Sequence, residues 1–273
     1  MLGEQRRAGI LNEVQKWGTV RVSNLSELFG VTEETIRRDL EELEKQGLVR
    51  RVHGGAIGVG SSFELPYHVR EVKNPIEKTS IALQAVELIN DGDTIMFDAS
   101  STALYTAQRL VQKKNITVVT NSLRIIGELA AYPNIRVIGV GGTLCNTSLG
   151  FIGPVATKTI SQFHVDKAVF SCKGITDEHG LTDASEVDSE IKRLMVKAAK
   201  ETIVVVDYSK FGRIAFCNIV HLDQINCVIT DSKTSVEWLM KMRERGIRVV
   251  QAKTGSAPIT RKKEYPPGRN MSI

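Results

Sequence analysis

Apolar positions over residues 4–49 recur at spacings of three and four, as in Ile10, Leu11, Val14 and Trp17. Ile36, Leu40 and Leu43 follow at i, i+4 and i+7. That period predicts short helices, each with one buried stripe. From residue 76 the texture changes to short, β-branched apolar runs at 94–98, 116–120, 135–140, 167–171, 202–207, 227–231 and 247–251. Amphipathic stretches at 76–89, 102–111, 123–131, 189–199 and 234–245 separate them. Apolar runs alternating with helices predict a mostly parallel sheet covered on both faces. Between the two textures, GVGSSFELPYHVREVKNP at 58–75 is broken by Gly, Ser and Pro and is expected to be a linker. The expected organisation is a small domain at 3–58, a linker at 59–75, an α/β domain at 76–253 and a basic, disordered tail at 254–273.

Within the first domain, Ser23 is placed to cap a short helix that turns Leu25, Leu28 and Phe29 inward, and Gly30 permits a tight turn. Thr32 caps the next helix, where Glu33 and Glu34 suit the positive N-terminal dipole. Because Ile36, Leu40 and Leu43 face the core, Thr35, Arg37 and Arg38 must project outward. Helix, glycine turn, and a second helix with outward arginines form a helix-turn-helix over 20–39, the geometry that sets side chains into a DNA major groove. The following residues 48–56 fit a β-hairpin whose Arg50, Arg51 and His53 would lie along phosphates as a wing. The competing account is a solvated face with Arg37–Glu41 and Arg38–Glu42 pairs. One reading helix covers only a half-site, so a symmetric homodimer or higher oligomer on double-stranded DNA is expected.

In the second domain, Phe97-Asp98-Ala99-Ser100-Ser101-Thr102 ends a strand in small hydroxyl residues and opens a helix. Such a junction suits an anion, because the backbone is approachable and the hydroxyls donate; a capped Ser/Thr turn is the plainer account. Thr120-Asn121-Ser122 and Gly141-Gly142 follow later strands, and Asp207 with Lys210 closes another. Lys210 could meet phosphate charge, with Asp98, Asn121 and Asp207 on sugar hydroxyls. No phosphate-binding G-x-x-x-x-G-K or G-x-G-x-x-G pattern occurs.

Composition narrows the class. No run approaches the roughly 20 apolar residues of a membrane-spanning helix, and the start lacks a secretion-type apolar core. The four cysteines form no C-x-x-C pair, which fits reduced thiols in a cytoplasmic protein and neither a metal nor a cofactor. A formal net charge of +5 would suggest nucleic acid, but acidic and basic residues balance over 1–57 and the excess lies at 241–273. The DNA argument rests on the local pattern alone.

That pattern resembles the DeoR family of bacterial transcription regulators: Val22, Leu25 to Phe29, Val31 to Leu40, Leu43, Glu44, Gly47, Leu48, then Arg51 to Ala56. The resemblance continues through Glu77-Lys78, Asp91 to Thr94, the 98–102 loop, 119–122, Gly141-Gly142, Phe163, Asp166-Lys167, 180–182, Glu190 with Lys192-Arg193, and 207–212. It implies a winged helix-turn-helix joined to a sensor domain of ribose-5-phosphate isomerase-like fold. It further implies a repressor of a carbohydrate-metabolism operon, responsive to a phosphorylated sugar or polyol. Glu190, Lys192 and Lys173 join the effector-site candidates on this basis; Cys172-Lys173 departs from the small or acidic residues usual before Gly174, which either adds a positive contact or simply reflects drift. Ala99 also departs, standing where the family usually has Gly. The rival possibility is a sugar-phosphate isomerase fused to a DNA-binding module, with Glu190 as base and Lys192 or Lys210 as electrostatic partner.

Overall fold

The structure, a computed structural model, describes residues 3–17, 19–59 and 64–253. The expected tail at 254–273 lies outside them. The N-terminal unit runs α1 (Gly3–Trp17), β1 (Thr19–Arg21), α2 (Val22–Phe29), α3 (Glu33–Lys45), β2 (Val49–Val52) and β3 (Gly55–Gly58). Its core joins Ile10 and Val14 of α1 to Leu25 of α2, to Ile36, Leu40 and Leu43 of α3, and to Val49 and Ala56 of the hairpin. Gly30 takes φ 63°, the left-handed turn expected of it, and the Thr32 hydroxyl accepts from the Thr35 amide at 3.3 Å. A buried ion pair locks α1 to α3: Arg6 Nε donates to Asp39 at 2.5 Å.

Three local expectations change. Helix α2 begins at Val22 with Arg21 at its N-cap, so Ser23 lies inside the first turn. Leu28 points outward, 59% exposed. The wing has three strands, in the order β1-β3-β2, because β1 pairs antiparallel with β3.

The second unit opens with α4 (Tyr67–Val72) and α5 (Pro75–Glu87). Helix α4 lies inside the stretch expected to be a linker; Pro66 ends no helix there but stands at its N-cap, and Tyr67 is buried. Then come β4 (Thr94–Phe97), α6 (Ser101–Ala107), β5 (Ile116–Thr120), α7 (Leu123–Leu129), β6 (Ile135–Gly139), β7 (Thr143–Cys145), β8 (Gly150–Ile152) and α8 (Pro154–Ile160). The chain continues through β9 (Val165–Phe170), β10 (Gly174–Thr176), β11 (Gly180–Asp183), α9 (Glu186–Ala198), β12 (Ala199–Val205), β13 (Cys217–Val220), β14 (Cys227–Thr230), α10 (Val236–Glu244) and β15 (Arg248–Gln251).

Seven strands form one parallel sheet in the order β15-β14-β12-β9-β4-β5-β6. Successive residues of its central strands enter opposite cores. Met96, Val119, Val204 and Val228 pack on one face, while Ile95, Phe97, Val118, Ile203, Val205 and Ile229 pack on the other. Both faces being covered explains why these strands read as unbroken apolar runs. The antiparallel additions β7-β8 and β10-β11-β13 carry no such run.

From β4 the chain winds to β5 and β6 on one side, and from β9 to β12, β14 and β15 on the other. The winding reverses between β4 and β9, so the strand ends splay there and leave a crevice at their C-terminal edge.

Candidate functional site

A cavity of about 290 Å³ opens at this reversal point. Asp98 follows β4 directly and is 1% exposed. Its carboxylate accepts from the Ser100 hydroxyl at 2.6 Å and from the Ser171 amide, past the end of β9, at 3.4 Å. Ser100 caps α6 by accepting from the Ala103 amide at 3.2 Å. Ser100 thus caps the helix, as the plainer account has it, and with Ser101 and Thr102 it also lines the cavity.

Charge converges on the same space. Lys192 of α9 lies between Asp183, with which it pairs, and Asp98 at 3.4 Å. Burial alone would discharge Lys192, but the two carboxylates hold it protonated above the ordinary lysine range. Lys173 pairs with Glu64 at 2.8 Å, and Arg70 of α4 reaches the same Glu64 oxygen at 3.0 Å. Burial would raise the Glu64 carboxyl, yet Lys173 and Arg70 bring it down to about 2. Lys78 of α5 is brought down to about 7, first by burial, with Lys210, Arg70 and Lys173 adding to it against the opposing charge of Asp207. Its ammonium donates to the Arg70 carbonyl and lies 5.8 Å from the Tyr105 ring centre.

Against these cations stand buried polar atoms with no hydrogen-bond partner in the protein: Asn121 Oδ1, Ser148 Oγ and Asp188 Oδ2, all on the cavity lining. A buried polar atom left unsatisfied costs about 1–3 kcal/mol. Acceptors, a hydroxyl and clustered cations in one small space suit a ligand with hydroxyl groups and a negative charge.

Of the effector candidates, Asp98, Ser100, Ser101, Thr102, Asn121, Lys173, Lys192, Asp207 and Lys210 line the cavity. Thr120, Ser122, Gly141, Gly142 and Glu190 do not. The Thr120 hydroxyl donates to the Phe97 carbonyl at 2.8 Å, and Ser122 caps α7. Gly142 has φ 136°, and a Cβ there would meet the Ile152 carbonyl at 2.6 Å. Close passage of β8 and α8, and no ligand contact, therefore accounts for that glycine. Glu190 is exposed on α9, away from the cavity where an isomerase base would have to act. Sequence reasoning missed Glu64, Arg70, Lys73, Ser148, Asp183 and Asp188, which line the site. The i,i+4 spacing of Asp188 and Lys192 on one helix face was the available signal for the pair.

The DNA candidates occupy a different surface. Thr32, Arg37 and Arg38 are exposed, and Thr35 is half-buried beside Thr32, their hydroxyls 2.9 Å apart. The arginines pair toward the N-terminus of α3, Arg37 with Glu33 at 2.6 Å and Arg38 with Glu34 at 3.5 Å, and not with Glu41 and Glu42. Exposed pairs of this kind contribute little and are readily given up. On the wing, Arg51 and His53 are exposed. Arg50 is registered opposite Ile57, and both line the cavity, so the outer face of the wing sheet borders it.

Burial pushes the thiols of Cys172 and Cys227 up, to about 12 and about 11, which leaves them unreactive. Among the described residues, no group of His, Cys, Asp and Glu side chains is arranged to hold a metal ion, and no helix is long and apolar enough to cross a membrane.

The DeoR-like helix-turn-helix domain matches residues 6–61, and the DeoR C-terminal sensor domain matches residues 73–232. The uncharacterised helix-turn-helix regulator YulB of Bacillus subtilis is 38% identical over 250 residues, covering 91% of this chain and 96% of that protein. The glycerol-3-phosphate regulon repressor of Escherichia coli is 34% identical over 245 residues, covering 90% and 97%. The regulator IolR of Bacillus subtilis is 31% identical over 232 residues, covering 85% and 92%. Ribose 5-phosphate isomerase A from Methanocaldococcus jannaschii aligns at a TM-score of 0.37 and 18% identity over 49% of this chain and 53% of that one, too distant to bear on function. With both family domains in order along one chain and full-length relatives that regulate transcription, the protein is a DeoR-family transcriptional regulator, a DNA-binding protein with a sensor domain and not an enzyme.

Proposed function

We propose that the protein is a cytoplasmic repressor of a carbohydrate-metabolism operon, acting as a homodimer or higher oligomer and released from its operator by a phosphorylated sugar or polyol. Cations and unpartnered buried polar atoms meeting in one cavity carry this proposal, because a small phosphorylated polyol presents both matching groups. Arg70, Lys173 and Lys78 meet the phosphoryl group; Asn121, Ser148 and Asp188 meet hydroxyls. Outward Thr32, Thr35, Arg37 and Arg38 read the operator, while Arg51 and His53 follow its phosphates. The E. coli relative is named for glycerol 3-phosphate, which makes that compound the first to try.

The test is a thermal-shift screen of the full chain against triose, pentose and hexose phosphates and polyol phosphates, paired with footprinting on the protein's own promoter region. A ligand at 100 times its dissociation constant adds about 2.7 kcal/mol of stability. We expect one such compound both to raise the melting temperature and to lift the footprint. No shift from any phosphorylated compound would remove the effector half of the proposal.

A further inference from the structure

The cations of the cavity already hold an anion, and the protein supplies it. One oxygen of Glu64 receives Lys173 at 2.8 Å and Arg70 at 3.0 Å, inside the cavity and largely out of solvent. Arg70 is held separately, its Nε donating to the Leu65 carbonyl at 2.9 Å and its Nη2 to the Thr147 carbonyl at 3.4 Å. The Ser101 hydroxyl donates to the Arg70 carbonyl at 3.3 Å, which brings the hydroxyl loop alongside. If the carboxylate left, Arg70 would keep its Thr147 contact.

We propose that Glu64 is an internal competitor for the effector's phosphoryl group, occupying the place between Arg70 and Lys173 that this group takes on binding. The proposal rests on the phosphorylated-effector function above. A carboxylate brings one charge and two oxygens, whereas a phosphoryl group brings about −1.5 to −2 and three oxygens. The ligand therefore prevails at the same two cations once its hydroxyls also engage Asn121 and Ser148. Glu64 lies between the end of β3, whose Ile57 and Gly58 border the cavity, and Pro66 at the start of α4. Its displacement moves residue 64, next to the Leu65 carbonyl that holds Arg70, so effector binding and a change at the start of α4 are one event.

Competition lowers apparent affinity by the fraction of molecules whose seat is open, so a carboxylate docked nine-tenths of the time weakens binding about tenfold. The experiment titrates inorganic phosphate into wild type, Glu64→Gln and Glu64→Asp by calorimetry, on the full chain. Gln removes the charge; Asp keeps it and shortens the reach by one methylene. Competition for the seat predicts that both variants bind phosphate tighter, by up to about tenfold. Tighter binding by Gln alone, with Asp like wild type, would mean that only the field of the charge matters and would overturn the proposal, as would unchanged or weaker binding by both. Independently of any variant, the side-chain carboxyl carbon signal of Glu64 in labelled wild-type protein should move on saturation with phosphate; a stationary signal overturns it too. If none of the three proteins binds phosphate, the compound that raises the melting temperature in the screen takes its place with the same outcomes; if no phosphorylated compound does so, the phosphorylated-effector function itself fails and takes this proposal with it.

Discussion

Ala99 and Gly150 show how single residues shape the cavity wall. Ala99 lines the cavity, and a Cβ built on Gly150 would come within 2.8 Å of its methyl, 3.2 Å of Asn121 Nδ2 and 3.3 Å of Ser148 Oγ. The extra methyl at 99 is tolerated because residue 150 has none. We expect Gly150→Ala to destabilise the chain by about 1–3 kcal/mol in denaturant unfolding, and Ala99→Gly to restore much of it in the double variant. Additive losses would show that the two positions do not share that space. Lys78 carries a pH signature. The unfolded chain keeps this proton up to the ordinary lysine range, while burial makes the folded chain give it up above about 7. The unfolded state therefore holds more protons between those limits, and stability rises with pH across that window; below about 7 the penalty is fully present. A bound anion favours the charged form. Phosphate binding at pH 8, where the ligand is already dianionic, should therefore take up protons, measured by calorimetry in buffers of different ionisation enthalpy. Lys173, which burial first and then Arg70 bring down to about 8, takes up a share as well. Lys78→Met should therefore reduce the uptake without abolishing it, and equal uptake by the variant would assign it elsewhere.

Helix α3 owes its orientation to what lies beneath it. Asp39 is 4% exposed and receives Arg6 at 2.5 Å, so α1 is pinned to the reading helix by charge as well as by Ile10 and Val14. Removing one partner of a buried pair typically costs about 3–5 kcal/mol, because the other charge is left uncompensated. Asp39→Ala should therefore lower the melting point of the N-terminal unit, and Arg6→Met with Asp39→Leu should recover part of the loss. How legible each element was follows from its periodicity. The five inner parallel strands announced themselves because both faces are buried, whereas the edge strands β6 and β15 are partly exposed and were legible from their β-branched residues. Predicted ends ran one or two residues long where Asp98, Ser171, Asp207 and Asp231 leave the ladder. The strands β7, β8, β10 and β11 are three or four residues each, too short to establish a period. Helix α4 was hidden by the glycines and prolines around it, and with it went Arg70 and Glu64. The reading helix needed only Ile36, Leu40 and Leu43 to fix which residues face out.

At the scale of the whole molecule, the wing sheet has two occupations. Val49 and Ala56 face the helices, while Arg50 and Ile57 face the cavity. Arg50 was expected on DNA phosphates, yet its position borders the sensor site and its charge is felt at Lys73. We expect Arg38→Ala to reduce the log–log salt dependence of operator binding by about 0.9 for each phosphate no longer neutralised, while leaving phosphate affinity unchanged. Arg50→Ala should weaken phosphate binding. Gel-shift titrations at several salt concentrations and calorimetry separate the two, and an Arg50→Ala protein with wild-type phosphate affinity would return that residue to DNA alone.

Because Arg50, Ile57, Gly58 and Val59 wall a cavity whose floor belongs to the other unit, the two units are not interchangeable parts. A chimera that grafts this sensor onto a foreign reading head would carry only part of its own binding site, however well both halves fold. Swaps cut between β3 and α4 should change which compound is sensed and how tightly, together with which operator is read. A designer wishing to keep the response would exchange the exposed face of α3 alone and leave the wing with the sensor.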